Sequence, residues 1–328
     1  MRPPRILLAL LALLCGPLLR AEEPFFKKGD VIAIVGGEDM VALSEYGYLE
    51  LLLTRALPDF HLRFRNLAWE GDTVFEQRRD LNFPTWEEQL EKIGATVVLC
   101  QFGQMESLGK GGRRKAEGGS GEELKAEVAE FIAAYEKLLE RFSGGGKRRI
   151  AIIAPLQFWR IASIPDWRSQ GRSDVMNAYS LATEEMAKKA RFHFVEGVNP
   201  DETTQRDGVH LARHGHVILA ALLETALGPH HDFVDQLFQM QAFLDPTRKW
   251  ADGAKQRDLT TEKNRLWFDY WRVQNWAFLA GDRTNQPSSR DHLDPAKRWF
   301  PEERERFLPL IEAREMEIDA LAAKLAQP

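Results

Sequence analysis

Short apolar runs, each long enough for one strand, alternate along this chain with longer segments of helical period. Val31 to Val35 is the first run, and Gly36-Gly37 turns the chain after it. Leu43 to Leu57 has helical spacing and is closed by Pro58. Leu62 to Leu67, Thr96 to Phe102, Ile150 to Ala154 and Phe192 to Val195 follow as further strands. Helical segments fall at Trp86 to Ile93, Val175 to Ala190 and Leu211 to Leu227, the last stopped by Gly228-Pro229. A run that is apolar at every position has no solvent face, so both faces of its sheet must be covered. Strands that alternate with helices build a parallel sheet, because each crossover returns the chain to the same end. The expectation is an α/β chain with three layers, helices on either side of a parallel sheet. Ligands of such sheets bind at the carboxyl ends of the strands.

The remainder of the chain sets limits. Met1 to Arg5 is basic, Ile6 to Leu14 is apolar and Leu19-Arg20-Ala21 offers a cleavage point, the pattern of a signal peptide over residues 1–21. That run is too short to span a bilayer, and Leu14 is a poor neighbour for a lipid anchor at Cys15. A secreted or periplasmic protein is expected. Without Cys15 only Cys100 remains, in a strand-like run, so no intramolecular disulfide forms and the thiol is read as a buried apolar group. The formal net charge of −5 comes from charges mixed along the chain, which speaks for neither nucleic acid nor an anionic membrane as partner. Gly109 to Gly121 reads as a polar loop and Ser143 to Gly146 as a hinge. After Pro229 the composition shifts to helices rich in Trp and Phe: Asp232 to Leu244, Thr260 to Leu279 and Glu302 to Leu325. The expected division is a domain over residues 25–228 and a helical extension over 229–328.

Four blocks stand where strand ends are expected: Gly29 to Glu38, Arg65 to Asp72, Phe102 to Ser107 and Asp207-Gly208-Val209-His210-Leu211. In this order they resemble the SGNH (GDSL-type) hydrolases, which are secreted or periplasmic esterases and acylhydrolases. The resemblance covers about Lys28 to Leu227 and implies a flavodoxin-like fold with no cofactor and no metal. The segments Lys263-Asn264, Trp267 to Trp276 and Gly281-Asp282-Arg283 are similar to the tail of a bacterial secreted subgroup. By resemblance, His210 is the catalytic base and Asp207 the carboxylate that orients it, while the nucleophile's place falls on Glu38. Gly37 and Gly71 fall in the oxyanion region. The oxyanion Asn is replaced by Met105, which has no N–H to donate, and Glu106 follows it in the substrate-binding block.

Acyl transfer needs a base held in the right tautomer, and an Asp three residues before a His supplies one. The same Asp207 also suits a cap for the helix near Leu211, and Glu38 with Asp39 suits the cap after the first strand. A carboxylate at the nucleophile's place is a poor attacker of ordinary esters but serves as a base on water or, in some enzymes, as a covalent nucleophile. Ser44 lies too far along to replace the missing serine. Glu38, Asp39, Asp207 and His210 together have the donor types of a divalent-metal site, without a close-spaced motif. His210, His214 and His216 read as exposed helix positions. Trp267, Phe268, Tyr270, Trp271, Trp276 and Phe278 read as a packed core rather than a platform for sugar rings. Lys147-Arg148-Arg149 reads as a solvated strand edge. Three functions remain: a hydrolase of acyl or acetyl esters carried by an extracellular glycan or a small molecule, a catalytically silent module that binds a glycan or a protein through the same cleft, and a metal-assisted hydrolase. Oligomeric state is not legible.

Overall fold

The computed structural model describes residues 24–108, 121–159, 172–229 and 251–325. Five strands, β1 (Val31–Gly36), β2 (Arg63–Asn66), β3 (Val97–Gln101), β4 (Arg149–Ile153) and β5 (His193–Val195), form one sheet in the order β2-β1-β3-β4-β5. Every pairing is parallel. This is the doubly wound order of flavodoxin-like folds. Side-chain alternation explains the unbroken apolar runs. Ile32, Ile34, Val97, Leu99, Ala151 and Ile153 enter one core, and Ala33, Val35, Val98, Cys100, Ile150 and Ile152 enter the other. Cys100 is buried, as its setting predicts, and burial pushes its thiol up to about 12.

The helices are α1 (Glu38–Tyr46), α2 (Tyr48–Ala56), α3 (Trp86–Lys92), α4 (Gly121–Ser143), α5 (Arg172–Ala190), α6 (Arg213–Leu227), α7 (Ala251–Trp271), α8 (Trp276–Leu279), α9 (Trp299–Glu305) and α10 (Phe307–Leu325). The segment expected as one helix over Leu43 to Leu57 is two. Gly47 divides them with a φ of +70°, and a Cβ there would stand 3.2 Å from methyls of Thr260 and Thr261 on α7. The helix α4 was not anticipated. It buries Phe131, Tyr135, Leu138, Leu139 and Phe142, but charges dilute that stripe and glycines precede it. Gly121 opens it; the rest of the loop expected over Gly109 to Gly121 lies outside the described residues, as do the Asp232 to Leu244 segment and residues 1–21. The Arg148-Arg149 pair is not a solvated edge, because β4 is an interior strand. Arg148 is buried and donates to the carbonyls of Ala95 and Phe142, and Arg149 pairs with Asp30.

The C-terminal helices pack on the sheet's β2 edge. Two expected helices are broken, the first between Trp271 and Trp276, the second at Arg306. Trp267, Tyr270, Trp271 and Trp276 are buried, as the core reading predicts, but Phe268 is exposed and Phe278 only half-buried, against it. The Trp267 indole donates to the Asn66 carbonyl at 2.8 Å and Trp271 to Gln89 at 3.1 Å. Arg63 and Arg65 on β2 pair with Asp319 and Glu315 on α10, and Lys263 on α7 pairs with Glu50 on α2, fully buried. Among the described residues no helix is long and apolar enough to cross a membrane.

Candidate active site

The site lies at the carboxyl ends of β1, β2 and β3. The chain leaves β1 through Gly36 and starts α1 at Glu38; the N-cap is Gly37, with no side-chain cap bond. Glu38 and Asp39 therefore occupy the first helical turn, where the helix dipole favours anions. Neither serves as the cap. Asp207 likewise does not cap α6, which begins at Arg213 after Ala212. Its Oδ1 instead accepts the amides of Val209 (3.0 Å) and His210 (2.8 Å), folding a turn that places the imidazole back over the carboxylate. Oδ2 of Asp207 lies 2.7 Å from Nδ1 of His210. Burial works to raise the Asp207 carboxyl, but the bonds from His210 and the two amides outweigh it and hold it down at about 2.

On the other side of the ring, Nε2 of His210 lies 2.9 Å from Oε2 of Glu38. Oε1 of Glu38 accepts from the Arg206 guanidinium at 2.6 Å. The three residues singled out by sequence thus form one chain, Glu38–His210–Asp207, with Arg206 bridging its ends. Arg206 was missed, although it directly precedes Asp207. Asp39 points elsewhere: its Oδ1 accepts the Leu211 amide at 2.8 Å. Burial pushes its carboxyl up to about 6, the bond from Leu211 opposing. His216 on α6 stands behind it, Nε2 3.9 Å from Asp39 and its ring centroid 4.6 Å from that of Tyr46. It is not an exposed helix position. Its burial is complete, and that burial drives its pKa down to about 3, which keeps it neutral. His210 precedes α6, so it shares no helix face with His214.

A cleft of about 320 Å³ opens over Glu38 and His210, with Gly37, Gly71, Met105 and Phe158 in its wall. Gly71 lines the cleft with a φ of +79°, a left-handed backbone that glycine adopts without strain. Met105 occupies the rim, 45 % exposed, and offers no donor. Glu106 lines the cleft wall, but both carboxylate oxygens are engaged: Oε1 accepts the Val74 amide at 2.7 Å and Oε2 the Gly103 amide at 2.8 Å. It ties the loop after β2 to the loop after β3 instead of reaching for substrate. Gln104 joins the same wall to the His210 turn through the Val209 carbonyl at 2.8 Å. Ser44 is not among the residues lining this cleft; it receives the Asn66 amide. Among the described residues no group of three or more His, Cys, Asp or Glu side chains is gathered as for a metal ion.

The all-parallel sheet order and the helices on both its faces make this a three-layer α/β/α protein with a flavodoxin-like sheet. Among solved structures the chain is similar to a gut microbial diltiazem-metabolizing enzyme, with a TM-score of 0.59 at 12 % identity over 92 % of this chain and 95 % of that one. That likeness extends into the helices after Gly228. The chain is also similar to an acetylxylan esterase from Geobacillus stearothermophilus (TM-score 0.45, 17 % identity, 62 % of this chain and 96 % of that one). A putative GDSL-like lipase from Parabacteroides merdae shows the same TM-score, 0.45, at 15 % identity over 62 % and 97 %. At such identities the likeness concerns the fold alone. No family model and no curated protein matches the chain.

Proposed function

We propose that this protein is an ester hydrolase that works without a serine nucleophile, on acyl or acetyl esters of an extracellular glycan, in the secreted or periplasmic setting its leading segment suggests. The observation that carries the reading is His210 held between Asp207 at 2.7 Å and Glu38 at 2.9 Å, at the floor of an open cleft. Here a water molecule attacks the ester carbonyl carbon and passes its proton to the Glu38–His210 pair. Asp207 stabilises the imidazolium. The Gly71 N–H and the first N–H groups of α1 point donors toward the developing oxyanion. Collapse of the tetrahedral intermediate breaks the C–O bond, and the leaving alkoxide takes the proton back from His210 Nε2. Met105 in place of an amide donor withholds roughly 2.7–4 kcal/mol of transition-state stabilisation, so turnover is slow by the standard of serine esterases.

The test is hydrolysis of a small activated acetyl ester by the mature protein, beside His210→Ala and Glu38→Gln. Both variants should lose turnover while retaining the fold; unchanged activity in either sinks the mechanism. A second reading, a silent module binding a glycan or protein partner in the same cleft, draws support from Glu38 itself. Its two oxygens are held by Arg206 and His210, which restrains it from attacking. Glycan or partner binding without turnover in the wild-type protein favours that reading.

A further inference from the structure

Glu38 and His210 come from turns far apart in the chain, and their 2.9 Å approach needs those turns fixed against each other. The ion pair from Arg206 is half-exposed and gives little rigidity by itself. A buried bond lies directly beneath. Asp39, next to Glu38, is 5 % exposed, and its carboxylate accepts the amide of Leu211, next to His210, at 2.8 Å. Leu211 is itself buried, so without Asp39 its N–H would lose the acceptor it has in the interior. We propose that Asp39 is a positioning residue: its bond to the Leu211 amide locks the turn of His210 to the first turn of α1 and thereby sets the Glu38–His210 distance. This deepens, and rests on, the reading of the Glu38–His210 pair as the working site.

The groups around Asp39 decide how it behaves. Glu38 stands on its own helix, His210 and Arg206 on the facing turn, and His216 on α6, 3.9 Å away. His216 is neutral and gives no cationic support. The carboxyl, pushed up to about 6, accepts its proton within the range in which esterases are assayed. An ionised acceptor makes the stronger bond to an amide. The strut therefore tightens as pH rises through about 6 and slackens below it.

The test uses two variants of the full mature chain. Asp39→Asn keeps an acceptor but no titration, and Asp39→Leu removes the acceptor. With uniformly ¹⁵N-labelled protein, the His210 ring signals and the protection of the Leu211 amide are followed from about pH 5 to about pH 8, a range that spans the Asp39 titration at about 6. The proposal expects Leu211 protection to step near 6 in wild type and to show no such step in Asp39→Asn, and Asp39→Leu to lose Leu211 protection and shift the His210 signals at every pH. In the acetyl-ester assay, Asp39→Leu should lower kcat on the order of a hundredfold with KM little changed. If Asp39→Leu fails to fold, the wild-type and Asp39→Asn profiles still decide, because identical profiles overturn the proposal. Unchanged His210 signals and Leu211 exchange in folded Asp39→Leu overturn it too. The spectroscopic arm needs no turnover: a wild type without activity defeats the hydrolase reading and leaves the strut to be judged by its own signals.

Discussion

Oε2 of Glu38 lies 2.9 Å from Nε2 of His210, on the opposite side of the ring from Asp207. The imidazole thus bonds to a carboxylate at each nitrogen. Under the proposed reading, a carboxyl side chain in place of a hydroxyl moves the attacking group from the protein to water. Around this pair the Asp207 turn holds the ring, Gly71 and Met105 line the cleft, and Glu106 and Gln104 brace its wall.

Restoring the two absent side chains tests whether the scaffold retains its geometry. The double variant Glu38→Ser, Met105→Asn supplies a hydroxyl within reach of His210 and an amide donor on the cleft rim. One oxyanion donor is worth about 10²–10³ in kcat, so acetyl-ester turnover should rise on the order of a hundredfold over wild type. No rise would mean that Gly71 or the His210 turn is not where hydrolysis needs it.

The five strands are legible because a doubly covered parallel strand is apolar at every position, and Val97 to Cys100 or Ile150 to Ile153 have no other explanation. The paired Asp207 and His210 are legible because one turn holds both. The partner of Asp39 is not: Leu211 is 172 residues away and contributes only a backbone amide, which leaves no mark on sequence. The helix α4 was hidden by its charges, and the break at Gly47 is set by contact with α7, beyond the reach of local period. His216 looks like any helix histidine until Tyr46 and Asp39 close over it.

That burial gives His216 a signature in acid. Its folded pKa of about 3 lies below the ordinary histidine value of 6.5 that it regains on unfolding. Above pH 6.5 it is neutral in both states and its contribution is complete. Below that, the unfolded chain takes a proton that the folded protein refuses, so stability falls until about pH 3, by up to about 5 kcal/mol for this group. Asp39 acts in the opposite sense: its raised pKa makes the folded state the better proton acceptor from about 6 down to 3.8. His216→Leu should therefore lose about 2–3 kcal/mol less than wild type on going from about pH 7 to about pH 4.5. Urea midpoints at the two pH values measure this, and equal losses in the two proteins would exclude a buried neutral His216.

Gly47→Ala should destabilise by about 1–2 kcal/mol, the cost of a side chain in left-handed backbone. The added methyl also meets Thr260 and Thr261 at 3.2 Å, so α7 must give slightly. The thermal midpoint should drop with ester turnover unaffected at low temperature, because Gly47 lies at the far end of α1 from Glu38. A midpoint equal to that of wild type would show that the helix break is not held as described.

The ion pair of Lys263 with Glu50 tests whether the C-terminal helices are integral to the fold. Both groups are buried, and burial pushes the Glu50 carboxyl up and the Lys263 ammonium down, each opposed by its partner. Neither tolerates being left alone. Lys263→Met strands a carboxylate in the core and should cost about 3–5 kcal/mol. The double variant Lys263→Met, Glu50→Leu removes both charges from the same space. It should recover most of that loss, since a buried pair replaced by apolar groups of similar volume is often neutral. Chemical denaturation of wild type, Lys263→Met, Glu50→Leu and the double variant gives the coupling directly. A double variant as unstable as the single one would mean that Glu50 also holds α2 in place by other contacts, and a harmless single variant would mean that the helices after Gly228 are not clamped to α2 through this pair.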